Sequence, residues 1–142
     1  MLKRLVLLVA VICLGTVLAA PSNAAAPKPK TRSVTISFLA APLPQVPGTA
    51  AGVATGTLGK GAVLIVGNTT GTATVFLTKG AVTSKFSLTV TTNPDMTASF
   101  TGTTTITGGT GAYAGAKGKG TVSGTTAADG SVTAHGSGKI TY

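Results

Sequence analysis

Few side chains in this sequence could carry chemistry, and their spacing limits what each could do. There are two carboxylates, Asp95 and Asp129, one histidine, His135, and no Glu. A glycosidase needs two carboxylates facing one bond. A serine triad needs a histidine oriented by an acid, and a metal centre needs several His, Cys or carboxylate ligands. Asp95 follows Asn93-Pro94 and Asp129 precedes Gly130, turn positions in which a carboxylate bonds the neighbouring backbone. His135 stands between Ala134 and Gly136 and shares a strand face with Lys139, the setting of a surface or barrel-rim histidine. Its functional alternative is a lone polar contact to a ligand. No catalytic residue, metal ligand or cofactor is therefore assigned. Tyr113 and His135 are the two candidate ligand-binding residues.

Tyr113 lies in the densest glycine segment of the chain, Ile106-Thr-Gly-Gly-Thr-Gly-Ala-Tyr-Ala-Gly-Ala-Lys-Gly-Lys-Gly120. Gly109-x-Gly111-x-x-Ala114 fits a loose dinucleotide fingerprint, but that motif works by presenting a helix N-terminus to a pyrophosphate, with an acid some twenty residues on. Here Gly115, Gly118, Gly120 and Gly124 argue against a helix, and Asp129 falls in a hairpin turn. The glycines Gly108, Gly109, Gly111, Gly115, Gly118 and Gly120 are expected to form a structural corner that tolerates positive φ and close packing, with Tyr113 plugging the end of the core.

The elements that position these residues are strands. Val34, Ile36 and Phe38 alternate with Ser33, Thr35 and Ser37, the period-two pattern of a half-buried strand. Three prolines between Pro42 and Pro47 end that run. Further strands are expected near residues 52–58, 62–67, 72–78, 82–91, 97–107, 118–125 and 131–142. Their connections are expected at Gly59-Lys60-Gly61, Asn68 to Gly71, Lys79-Gly80, Asn93 to Asp95 and Asp129-Gly130. Ala112 to Ala116 is the one place for a single helical turn. Inward faces are assigned to Val82, Phe86, Leu88 and Val90, to Met96, Ala98, Phe100, Gly102 and Ile106, and to Val132, Ala134, Gly136, Gly138, Ile140 and Tyr142. Hydroxyls dominate the opposite faces. Threonine there is explained by strand propensity and solubility; matching an ordered lattice would require ranks in register on a flat sheet.

Lys3 and Arg4, the apolar run Leu5 to Ala20 and the small residues Ser22-Asn23-Ala24 make residues 1–24 a cleavable signal peptide. The run is shorter than the ~20 residues of a membrane-spanning helix. Cys13 leaves with it, so the remaining chain has no thiol for a disulfide or a metal. Residues 25–31 form an extended Pro/Lys leader, and residues 32–142 a single domain. The formal charge of +9 falls to +7 when Lys3 and Arg4 are removed. Lysines that stand singly along the chain suit a soluble surface and blunted sheet edges. No dense basic stripe with interleaved aromatics marks a nucleic-acid reader.

The segment from Ile106 to Gly120 resembles the glycine-tyrosine stretch of bacterial secreted proteins similar to allene oxide cyclase and dirigent barrels. The resemblance is carried by Thr97 to Tyr142 and, earlier in the chain, by the number and spacing of strands. It implies an eight-stranded antiparallel barrel with a central cavity and a homotrimer. The acids and arginine that serve catalysis in that family have no counterpart here, since Arg32 stands at the start of the first strand and Asp95 and Asp129 in turns.

The expectation is thus an all-β chain, an eight-stranded antiparallel barrel with a β-sandwich as the alternative. It would be secreted and would bind a small apolar ligand without catalysis. A structural or adhesive surface protein is the second reading, and a cyclase or dirigent-like enzyme the third. Anionic polysaccharide is the second partner class; nucleic acid and, after cleavage, membrane are not expected partners.

Overall fold

A computed structural model describes residues 28–142; the segment expected to be a signal peptide, Cys13 and the first residues of the expected leader lie outside the described residues. Eight strands follow one another: β1 (Thr31–Pro42), β2 (Thr49–Gly56), β3 (Gly59–Gly67), β4 (Thr70–Leu77), β5 (Gly80–Thr92), β6 (Ala98–Gly109), β7 (Lys117–Thr126) and β8 (Val132–Thr141). A 3₁₀ turn, Gly111–Tyr113, lies between β6 and β7. Each strand pairs antiparallel with the next, and β8 returns to β1, from Ala40 opposite Val132 to Thr31 opposite Thr141. The sheet is therefore a closed barrel, not a sandwich, and no strand in it is an edge. Lys30 already exchanges backbone bonds with Tyr142 at 3.0 and 3.3 Å, so the domain begins slightly before Arg32.

An up-and-down order places alternate turns at opposite ends. One end holds the β2–β3, β4–β5 and β6–β7 connections and the start of β1, and is called here the tyrosine pole. The other holds the loops after β1, β3, β5 and β7, and is called the mouth.

Every strand alternates, and the register carries the inward parity around the ring. Ile36, for example, lies opposite Gly136 on β8 and Gly56 on β2. At the tyrosine pole Val82, Tyr113, Ala116 and Ile140 form a buried cluster. A second cluster, Ala40, Ala54 and Val63, packs along β1–β3. The corner between β6 and β7 is prepared by a shift of register at Thr83/Ser84, which leaves Thr107 as an extra residue on β6. Such a bulge bends the strand. Gly111 and Gly115 then take positive φ, 59° and 74°, conformations that glycine adopts without steric cost. Gly109, Gly118 and Gly120 instead lie against neighbouring backbone, while Gly108 has open space around it.

Some boundaries differ from the sequence expectation. Gly59, Lys60 and Gly61 open β3, and the hairpin tip is Thr57-Leu58; Gly80 likewise begins β5. Closure requires each strand to run to the end of the barrel, so the glycines extend the ladder. Met96, expected on the inner face, is 76% exposed with φ of 63°. The Asp95 carboxylate accepts bonds from the backbone N–H and hydroxyl of Thr97 at 3.1 and 2.6 Å. That turn delays the start of β6 to Ala98 and leaves Met96 outside.

The inner wall of β7 and β8 is built largely of glycine, including Gly118, Gly120, Gly136 and Gly138. A Cβ at Gly120 would strike the Ser137 carbonyl oxygen, whereas at Gly136 the nearest atom is the Ile36 Cγ2 methyl at 3.1 Å. Backbone cannot yield as a side chain can. Gly120→Ala is therefore expected to destabilise by about 1–3 kcal/mol and Gly136→Ala by less than about 1 kcal/mol. Urea midpoints of the two variants check this; equal losses would show that the glycine wall is not tight where described.

Candidate functional site

Small inward residues leave the barrel hollow. A cavity of about 570 Å³ runs along its axis, lined by apolar side chains that include Phe38, Ile65, Val75, Phe86, Leu88 and Val122. These six residues face inward yet remain half-exposed. A volume of this size lies within the ~300–1,000 Å³ typical of small-molecule sites. Toward the mouth the lining reaches Gly48, Asn68, Thr69, Val90 and Gly130. Val90 there is 42% exposed, and Leu43, Val46 and Met96 place further apolar surface on the mouth loops. At the other end Tyr113 closes the space. Its side chain is buried, its hydroxyl donates to the Leu58 carbonyl at 3.4 Å, and its ring meets Tyr142 edge-on at 5.1 Å.

The two candidate ligand-binding residues are not brought together. Tyr113 forms the floor beneath the cavity and does not itself line it. His135 is exposed on the outer face of β8, where Nδ1 and the Ser37 hydroxyl share a hydrogen bond of 2.8 Å. Sequence reasoning missed the polar groups that do face inward. Ser84 and Thr104 line the cavity, on adjacent strands in diagonal positions, since Ser84 lies opposite Ile106 and Phe86 opposite Thr104. Parity could have found them: each interrupts an apolar inward series. The Ser84 hydroxyl donates to the Ala73 carbonyl at 3.3 Å, and its free lone pairs can still accept a bond from a ligand.

Among the described residues no carboxylate lines the cavity, and no group of three His, Cys, Asp or Glu could hold a metal ion. Asp95 and Asp129 are exposed at the mouth. Side-chain and backbone bonds from Thr97 hold the Asp95 carboxyl below its ordinary pKa, and bonds from Ser131 do the same for Asp129.

The exterior is organised in ranks. Thr35, Ser137, Thr121 and Thr103 lie side by side across β1, β8, β7 and β6, with Ser37, His135, Ser123 and Thr101 in the next rank. The ranks are in register, but they curve around the barrel, so they do not form the flat lattice face that matching an ordered solid requires. The opposite exterior is apolar: Leu39, Val53, Ala62 and Phe76 form one rank across β1–β4. The basic residues, isolated in sequence, are gathered by topology. Lys30 and Arg32 enter β1, Lys60 lies at the start of β3, Lys79 sits in the β4–β5 turn, Lys117 and Lys119 lie at the start of β7 and Lys139 near the end of β8, all at the tyrosine pole, while Lys85 lies midway along β5. Both acids stand at the mouth, so the molecule is electrically polar along its axis.

Two outcomes follow from this geometry. Tyr113→Ala is expected to cost about 3–5 kcal/mol because it removes the ring that seals the pole, and Tyr113→Phe no more than about 1 kcal/mol; chemical denaturation distinguishes them. Carboxyl groups whose folded pKa is depressed contribute stability at neutral pH that is lost as pH falls through the carboxylate range. A D95N/D129N variant is therefore expected to show a shallower fall of the urea midpoint on acidification than the native chain. An unchanged slope would contradict the Thr97 and Ser131 contacts as the cause. No family model, curated protein or solved structure matches this chain, so its chemistry has to be read from the cavity and the surface themselves.

Proposed function

We propose that this is a secreted binding protein, without catalysis, that holds one small, mostly apolar, uncharged molecule inside its barrel. The observation that carries the reading is the axial cavity of about 570 Å³ with its apolar lining. An apolar ligand placed there exchanges water for side-chain contact, at roughly 25 cal/mol per Å² of buried apolar area. A charged ligand would lose its hydration for little return, since no described carboxylate lines the cavity and Lys119, at its tyrosine-pole end, is the one charged residue in the lining. Ser84 and Thr104 supply a local pair of hydroxyls for one carbonyl or hydroxyl of the ligand, which fixes its orientation. Access is through the mouth, where Val90, Met96 and Val46 offer an apolar rim. Export and kinship to allene oxide cyclase and dirigent barrels rest on the signal-like N-terminus and the glycine-tyrosine corner. The family's acid-dependent chemistry has no equivalent in the cavity wall.

The test is a titration with N-phenyl-1-naphthylamine, a neutral apolar dye whose emission rises on leaving water. Native protein is expected to bind about one dye per chain. A73F/V122F, which fills the cavity from β4 and β7, is expected to bind at least tenfold more weakly while keeping a thermal midpoint at or above the native one. Equal binding by the filled, folded variant would place the dye elsewhere and overturn the reading.

A further inference from the structure

We infer that the tyrosine pole docks on an anionic polysaccharide, along a short band centred on the opposed pair Lys119 and Lys139. The register sets the band. Ser33 on β1 lies opposite Lys139 on β8, Lys139 opposite Lys119 on β7, and Lys119 opposite Thr105 on β6. Thr105 in turn lies opposite Lys85 on β5, and Lys85 opposite Thr72 on β4. The row climbs as it goes round, from Ser33 at the pole end of β1 to Thr72 at the mouth end of β4, so its part at the tyrosine pole is Ser33, Lys139, Lys119 and Thr105, two adjacent lysines flanked by hydroxyls.

Its centre is electrostatically unfavourable for the isolated barrel. Lys139 and Lys119 are exposed, directly paired like charges, an arrangement that destabilises a sheet. The only two carboxylate side chains of the described residues, Asp95 and Asp129, stand at the opposite end and bond within their own turns. No carboxylate among the described side chains relieves the pair, and an external polyanion would. The surrounding lysines at the pole add to the same field.

The chemistry favours a polyuronate or similar acidic glycan over other polyanions. Interstrand steps of about 4.8 Å are close to the length of one sugar ring, so a chain lying across the strands meets a lysine or a hydroxyl at each step. Ser33 and Thr105 can bond sugar hydroxyls on either side of the lysine pair. Single-stranded nucleic acid binding relies on exposed aromatic platforms, whereas the rings at this pole, Tyr113 and Tyr142, pack against each other. Insertion into a bilayer calls for exposed apolar anchors beside the cations, and the row contains none. The cavity opens at the opposite end, so a barrel held by this pole keeps its mouth open to solution.

The experiment measures binding of protein produced from the full chain to polygalacturonate, with dextran, duplex DNA and phosphatidylglycerol vesicles compared at the same ionic strength. Polygalacturonate is expected to bind most tightly, with an affinity that falls steeply as salt rises. K119Q/K139Q is expected to lose at least tenfold, and K60Q/K79Q, which removes the same charge at the same pole but off the row, less than threefold. Removing the opposed pair is also expected to raise the thermal midpoint at low salt, a gain that high salt erases. Should that variant fold poorly, Lys139→Gln alone, which leaves Lys119 without an opposed like charge, supplies the binding test with an expected loss of about threefold. Absence of polygalacturonate binding, equal losses in the two double variants, or tighter binding to DNA or vesicles would each overturn the inference.

Discussion

Closure of the ladder between β8 and β1 is the constraint on which the remaining features depend. A sheet of eight strands would otherwise present two unpaired edges, and a chain with so little charge has few means of protecting them. Closing the ring satisfies every strand on both sides, but it also forces strong curvature, and curvature crowds the inner face. The inward positions of β7 and β8 are consequently occupied by glycine wherever a Cβ would meet the backbone of the next strand. With the inner wall so thin, the remaining inward side chains do not reach across the axis. The cavity is thus a consequence of how the ring closes, and its apolar character follows from the same parity that made the strands.

An even number of antiparallel strands also gives the barrel two unlike ends. Turns alternate between them, so residues far apart in the chain meet if they flank turns of the same parity. Tyr113 from the β6–β7 corner reaches the Leu58 carbonyl in the β2–β3 turn and seals one end. The same topology collects lysines from β3, β7, β8 and the β4–β5 turn around that seal. At the other end it collects proline, Leu43, Val46, Met96 and the two acids. A closed basic pole and an open apolar mouth thus lie at opposite ends of one small domain, and in the proposed reading attachment and ligand exchange would be divided between them.

Much of this was legible from alternation and turn chemistry. Val34-x-Ile36-x-Phe38 and Val82 to Val90 marked inward faces correctly. The run around Tyr113 was readable as a plugged corner because dense glycine allows a tight bend and a lone large ring within it needs burial. Strand number followed from the spacing of turn residues. Exact ends did not, because Gly59 and Gly80 look like turn residues in sequence and are strand residues once the ring extends the ladder over them. Met96 was misplaced because parity continues through a short turn on paper but not in space. The functional surfaces were least legible. Lys85, Lys119 and Lys139 are separated by up to half the folded chain, and only cross-strand register, which depends on hairpin lengths and closure, brings them into one row. Ser84 and Thr104 were hidden for the opposite reason: a hydroxyl within an apolar series looks like an interruption until the interior is known to be hollow.

The hollow interior is the central claim, and xenon tests it most directly, since dry apolar cavities take up this gas. Diffraction from xenon-pressurised crystals is expected to show ordered xenon on the barrel axis, in contact with Val75, Phe86 and Val122 and stopping above Tyr113. An axis without xenon, occupied instead by these side chains packed against one another, would contradict the account.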